Sequence, residues 1–304
     1  MKPLNDLISI QDLDRDGIDR ILGKATEMEA VAKERSDDLK GKIMACLFFE
    51  ASTRTRLSFE SAMIRLGGGV LGFADVISSS AGGKGETLAD TIRTVEKYAD
   101  VIVIRHPLDG SARVASEFSS IPVINAGSGS EEHPTQALLD LYSINKFKGG
   151  IDGLRISLCG DLRYGRTVHS LGMGLSNYDV SIKLAAPDAL RMKPAIIEEM
   201  IAKGIEVEEV ASIEAAVQGV DVVYMTRIQK ERFPDIREYE AVKGKFRIGL
   251  EDVSLMRKDA VILHPLPRVD ELSAEVDSTP QAKYFEQVYS GVVTRMAILS
   301  MMLG

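Results

Sequence analysis

Apolar runs of strand length alternate along this chain with longer stretches whose apolar residues recur at helical spacing. The runs predict strands over 43–49, 101–104, 123–125, 155–159, 181–185, 220–225 and 260–264. The intervals predict helices over 11–34, 57–66, 88–98, 134–147, 167–175 and 193–202. Strands that are apolar throughout are buried on both faces, and helical crossovers between them make neighbours parallel. The segment 146–153, KFKGGIDG, is rich in turn residues and lies at the midpoint, so it is the predicted domain boundary. The expected fold class is α/β: two doubly wound parallel-sheet domains with the active site in the cleft between them. Ligands of open parallel sheets collect beyond the carboxyl ends of the strands, which is the reason for placing the site there.

Composition excludes several partners. A length of 304 residues leaves room for about two domains. The 37 Lys plus Arg against 45 Asp plus Glu give a net charge of -8, which argues against nucleic acid or an anionic membrane as the general partner. Anionic ligands must then be held by local clusters. The only cysteines, Cys46 and Cys159, each lie inside an apolar run and read as small core residues. No disulfide framework or cysteine zinc site is expected, and a reducing, cytoplasmic compartment fits. Acids interrupt every apolar stretch of MKPLNDLISIQDLDRDGIDR, so no signal peptide is expected. No run approaches the roughly 18 apolar residues of a membrane span.

The segment 42–60, KIMACLFFEASTRTRLSFE, hands over from an apolar strand to hydroxyls and guanidinium groups and then to a helical pattern. Ser52 stands where a helix N-cap is wanted, and Thr53, Arg54, Thr55 and Arg56 occupy the first turn. Such a turn offers backbone amides without intrahelical partners, the positive end of the macrodipole, hydroxyls and planar cations together. That is the chemistry of a phosphate-binding corner. Cations there oppose the helix dipole, whereas stability alone would favour acids. The alternative is a capped surface helix with solvated arginines.

Other chemistry-bearing residues also follow predicted strands. Arg105 and His106 follow VIVI; His133, Pro134, Thr135 and Gln136 open a helix after INAGSGSEE; Asp161, Arg163 and Arg166 follow RISLCG; Arg227 and Gln229 follow DVVYMT; HPLPR follows AVIL. One arginine at a strand end is usually a surface charge, but several on one edge point to a site. Two glycine-bearing stretches are not nucleotide signatures: in SSSAGGKGET, Lys84 is followed by Gly85 rather than a hydroxyl residue, and GDLRYGR lacks GxGxxG spacing.

Taken together, STRTRLSFE, HPTQALLD, GDLRYGRTVHSL, YMTRIQKERF and HPLPRVDE resemble, in that order, the motifs of the aspartate carbamoyltransferase catalytic chains, over about 48–285. The first two motifs are shared with ornithine carbamoyltransferases, which typically carry a cysteine where this chain has Leu266. The resemblance implies carbamoyl transfer from carbamoyl phosphate to the amine of L-aspartate in pyrimidine (UMP) synthesis. It implies that Ser52, Thr53, Arg54, Thr55 and Arg105 hold the phosphate, and that Thr55, Arg105 and His133 donate to the carbonyl oxygen. His133 has a second reading as a cap for the helix opened by Pro134. Gln136, with the backbone carbonyls of Pro265 and Leu266, would accept from the carbamoyl NH2. Arg166, Arg227 and Gln229 would bind aspartate, together with Leu266.

The same resemblance implies a homotrimer with shared active sites, in which Ser80 and Lys84 come from the adjacent subunit and Lys84 touches both substrates. Glu50 would bridge to Arg166 and Arg232 as the domains close. The expected domains are 1–133 for carbamoyl phosphate, joined by a returning helix at 286–304, then a connecting helix at 134–149 and 150–285 for aspartate. No metal or organic cofactor is implied. Separate zinc-binding regulatory chains could join a larger assembly. A phosphate-ligand binding protein without turnover, or carbamoyl transfer to another amino acid, are the alternatives.

Overall fold

The computed structural model describes residues 5–74, 85–130, 132–228, 237, 244 and 246–304. The chain divides into two compact units, Met1–Tyr142 with Val288–Gly304, and Ser143–Gln287.

In the first unit a four-stranded sheet has the order β2-β1-β3-β4, built from β1 (Ile43–Phe48), β2 (Gly69–Phe73), β3 (Val101–His106) and β4 (Val123–Ser128). Every pairing is parallel. Crossovers are supplied by α2 (Thr53–Arg65), α3 (Leu88–Val95) and α4 (Ser111–Phe118), and α1 (Arg15–Glu34) precedes the sheet. The α1 helix starts where Asp14 accepts from the Gly17 amide at 2.8 Å, and it buries Ile18, Ile21, Leu22, Ala25 and Met28, an i, i+3, i+4, i+7 stripe. Apolar side chains of β1, β3 and β4 are buried against Ile92, Ala112 and Ala115 of the crossover helices. Each fully buried valine, leucine or isoleucine among them contributes on the order of 1.5–3 kcal/mol.

In the second unit a five-stranded sheet has the order β7-β6-β5-β8-β9, from β5 (Arg155–Cys159), β6 (Ser181–Ala185), β7 (Glu206–Val210), β8 (Val222–Met225) and β9 (Val261–Leu263). It too is parallel throughout. Its helices are α6 (Arg166–Leu175), α7 (Pro194–Ala202), α8 (Ile213–Val217) and α9 (Leu250–Leu255). Two helices contribute residues to both units: α5 (Pro134–Lys148) and α10 (Tyr284–Leu303).

The α/β class with two parallel sheets agrees with the apolar pattern. The differences are instructive. Strands β2 and β7 were absent from the expected set: both are edge strands, and β7, EVEEV, keeps its side chains partly or fully exposed, so no apolar run marks it. The short helices α4, α8 and α9 span eight residues or fewer, too little for periodicity to register. The second helix begins at Thr53, behind Ser52, in agreement with the first-turn reading of 53–56; the apolar stretch from Leu57 marked only its later part.

Candidate active site

Both sheets reverse their winding direction at one place. In the first, β2 lies on one side of β1 and β3 on the other; in the second, β6 and β8 flank β5. Loops leaving such neighbouring strands diverge to opposite faces and open a crevice at their carboxyl ends. Glu50, Ser52, Arg54, Thr55 and Arg105 follow the strands of the first switch point, and Arg166 and Arg227 follow those of the second.

In the first unit, β1 delivers Glu50, then Ser52 at the N-cap of α2 in extended conformation (φ -157, ψ 105), with no bond from its hydroxyl to the helix amides. The first turn carries no acid. Thr55 is buried, Arg54 is exposed, and Arg56 is bound to Glu60 at 2.9 Å, an ordinary i, i+4 pair. The parallel register sets Phe48 opposite Arg105, so the end of β3 lies beside the loop after β1. There Arg105 Nη2 donates to Glu50 Oε1 at 3.0 Å, and Nη1 to the Ala126 carbonyl of β4 at 3.4 Å. The His106 ring lies 4.9 Å from that of Phe49, tilted by 53°, and burial pushes its pKa down.

His133 is buried immediately before α5, and its carbonyl accepts from the amides of Gln136 and Ala137 at 3.0 and 3.1 Å. Its backbone therefore occupies the N-cap position of α5. Gln136 is buried, and its Nε2 donates to Asp140 Oδ1 at 2.9 Å. Committing the NH2 end to a carboxylate determines which end of the amide is the acceptor, so Oε1 is left for an NH donor. Asp140 was not anticipated, although its i, i+4 spacing from Gln136 within HPTQALLD is a readable signal.

A second unanticipated residue is Arg295 of α10, 3% exposed. Its Nη1 donates to Ser58 of α2 at 2.9 Å and its guanidinium lies 5.0 Å from the Phe59 ring centroid. Burial pulls it down to about 9, with Asp140 opposing, which still leaves it charged at neutrality. It ties α10 to α2. A lone cation in the apolar run GVVTRMAILSMML was the available signal.

In the second unit, β5 ends at Gly160 (φ 106), where a Cβ would overlap the Thr226 carbonyl oxygen, so only glycine permits this approach of the loops after β5 and β8. The Thr226 hydroxyl accepts from the Asp161 amide at 3.1 Å and donates to the Cys159 carbonyl at 3.0 Å. Asp161 is fully buried and accepts from the Tyr164 amide at 2.9 Å. This staple brings Arg166, the first residue of α6, and Arg227, two residues past β8, to neighbouring strand ends. Arg163 is exposed and bonds the Ala189 carbonyl at 3.4 Å. Past β9, His264 is buried and Pro265 and Leu266 are partly exposed. Ser80, Lys84, Gln229 and Arg232 lie outside the described residues.

Residues 5–146 match the family model described as aspartate/ornithine carbamoyltransferase, carbamoyl-P binding domain, and residues 152–302 match its Asp/Orn binding domain. The chain is 54% identical over 301 residues to the aspartate carbamoyltransferase catalytic subunit of Thermococcus kodakarensis, covering 98% of this chain and 97% of the relative. It is likewise 54% identical to that of Methanopyrus kandleri over 301 residues, with the same coverage of 98% and 97%. Among solved structures, the catalytic subunit of M. jannaschii aspartate transcarbamoylase superposes with a TM-score of 0.91 at 51% identity, covering 98% of each chain. The Trypanosoma cruzi aspartate transcarbamoylase in complex with carbamoyl phosphate and aspartate gives 0.93 at 41% identity, covering 99% of this chain and 97% of that one. With both family domains matched in order and homology extending over nearly its whole length, the chain belongs to the aspartate/ornithine carbamoyltransferase family.

Proposed function

We propose that this chain transfers the carbamoyl group of carbamoyl phosphate to the amine of L-aspartate, giving N-carbamoyl-L-aspartate and phosphate for pyrimidine synthesis. The observation that carries this reading is the acid-free first turn of α2, with Ser52 to Thr55 beside Arg105 at the β1/β3 switch point. Ser52, Thr53, Arg54, Thr55 and Arg105 bind the phosphate, with Ser80 and Lys84 added from an adjacent chain of a homotrimer. The amine lone pair attacks the carbonyl carbon, the new C–N bond forms, and the C–O bond to phosphate breaks. Thr55, Arg105 and His133 donate to the carbonyl oxygen as its negative charge grows, an electrostatic contribution that needs no reorganisation. The departing phosphate takes the amine proton, so a dedicated protein base is unnecessary.

Gln136 accepts from the carbamoyl NH2, a role supported by the bond that commits its own NH2 to Asp140. The carbonyls of Pro265 and Leu266 share it. Arg166 and Arg227 bind the two aspartate carboxylates as bidentate cations, Gln229 adds directional bonds, and Lys84 completes the acceptor site. Glu50, Arg166 and Arg232 act in closure on both ligands. An anionic acceptor suits these arginines, whereas the cationic side chain of ornithine would be repelled. A cytoplasmic setting and separate regulatory chains complete the proposal; among the described residues, no helix is long and apolar enough to cross a membrane.

The test is a panel of amino-acid acceptors, each assayed for carbamoylated product at saturating carbamoyl phosphate. L-aspartate should be preferred by orders of magnitude; turnover with ornithine equal to that with aspartate would overturn the assignment. Mixing inactive Lys84→Ala and Arg54→Ala chains tests the shared site: hybrid trimers should regain activity, and hybrids without it would place Lys84 elsewhere.

A further inference from the structure

The loop after β9 contains a backbone strain and a buried histidine–carboxylate contact that the reaction scheme leaves without a purpose. Leu266 has φ 54, the left-handed region that a side chain with a β-carbon rarely adopts. Its amide donates to His264 Nδ1 at 2.8 Å. The opposite ring nitrogen, Nε2, lies 2.7 Å from Glu271 Oε1, with side-chain exposures of 1% and 3%. Glu271 Oε2 in turn accepts from the amides of Val269 and Asp270, each at 3.1 Å. The His264 amide is itself held by buried Gln287 Oε1 at 2.8 Å.

These bonds permit one state of the ring. Nδ1 can accept from an N–H only if it carries no proton, so the proton of the neutral imidazole sits on Nε2 and is donated to Glu271. The Leu266 N–H and the Pro265 carbonyl belong to the same planar peptide, and in a trans peptide they point in opposite directions. Fixing the N–H on His264 therefore aims the Pro265 carbonyl away from the ring. The carboxylate that chooses the tautomer also holds the following amides, so one buried acid organises both arms of the loop.

We infer that His264 and Glu271 are positioning residues: the buried carboxylate sets the tautomer of the imidazole, and the imidazole aims the Pro265 carbonyl at the amino hydrogens of the substrate. The inference rests on the reading that the Pro265 and Leu266 carbonyls receive the carbamoyl NH2. Neither side chain touches substrate. Their effect passes through the peptide plane, and it belongs to the chemical step, because phosphate is bound by residues of the other unit.

Two isosteric substitutions separate the two faces of the ring. In His264→Asn the amide oxygen occupies the place of Nδ1 and can accept from the Leu266 amide, as asparagine does for the residue two ahead in turns. In His264→Gln the longer side chain reaches Glu271 but leaves no acceptor at the Nδ1 position. The Asn variant is expected to keep kcat within about ten-fold of wild type and the Gln variant to lose about a hundred-fold or more, both with unchanged Kd for inorganic phosphate. Gln retaining as much kcat as Asn would overturn the inference. In parallel, 15N spectra of histidine-labelled wild-type protein report the tautomer directly, and with four histidines, single substitutions assign the signals. The Nε2–H form is expected; an Nδ1–H form or an imidazolium would refute the proposal even if both variants fail to fold. If the tautomer and the Asn–Gln order hold while aspartate proves not to be the acceptor, the positioning role stands and the proposed substrate alone fails.

Discussion

Replacing Glu50 by glutamine tests whether the phosphate corner is restrained by its own carboxylate. Glu50 Oε1 meets Arg105 Nη2 at 3.0 Å, and the two side chains are 30% and 11% exposed. Glutamine preserves the size and an acceptor oxygen and removes the charge. A partly solvated pair of this kind is worth about 1 kcal/mol, well below its bare Coulomb energy. An anion arriving at Arg105 has to offset that attraction, so without it the Kd for phosphate should tighten about five-fold. The same change takes this carboxylate from a mostly buried guanidinium, so the ligand-free protein should lose about 1 kcal/mol, roughly 2 °C in Tm for a chain of this size. Saturating phosphate should erase that deficit, because binding adds stability in proportion to RT ln(1 + [L]/Kd). Calorimetric titration with inorganic phosphate, and thermal scans with and without it, measure both quantities. Turnover should fall even as phosphate binds tighter, since Glu50 is also assigned to closure. A Kd that is unchanged or weaker, with Tm lowered equally in both scans, would refute the reasoning and leave Glu50 as a structural partner of Arg105.

Arg227→Ala should raise the aspartate requirement at least ten-fold while leaving the calorimetric Kd for phosphate unchanged; equal weakening of both would move Arg227 to the phosphate half-site. Gly160→Ala forces a β-carbon against the Thr226 carbonyl at φ 106 and should cost about 2–4 kcal/mol of unfolding free energy in denaturant titration, so a near-native midpoint would show that the loops after β5 and β8 can separate freely. Burial pushes the thiols of Cys46 and Cys159 up to about 12, so neither should react with a thiol reagent until the protein unfolds; stoichiometric labelling of the native protein would contradict the buried placement.

The helix start proposed to bind phosphate was legible as local structure because its residues are contiguous. A strand, a serine at the N-cap position and a first turn of hydroxyls and arginines occupy neighbouring positions, and helix geometry alone gathers their amides. The spans of β5 and β6 could be read to the residue because each places apolar residues at alternate positions, Ile156 and Leu158 in one and Ile182 and Leu184 in the other; Ser157 is buried with its strand, whereas Ser181 and Lys183 stay partly exposed. Edge strand β7 escaped because acids fill its exposed positions and leave no apolar run, and β2 because Gly69 and Gly72 interrupt one.

What lies far apart in the chain was decided by the fold. Glu50 and Arg105 are 55 positions apart, and they meet because the parallel pairing of β1 and β3 sets Phe48 opposite Arg105. Arg295 reaches Ser58 across 237 positions. Even His264 and Glu271, only 7 apart, required the strained Leu266 turn before one carboxylate could set a ring tautomer. Sequence patterns report periodicity, and periodicity says which residues are buried and which end an element. It carries no record of register or strand order, and these choose the partner of each buried polar group. By itself the sequence determined two α/β units, the residues at their strand ends and the helix start behind Ser52. The tertiary structure decided which carboxylate restrains which cation, because that choice depends on through-space distances that only strand order and crossover handedness establish.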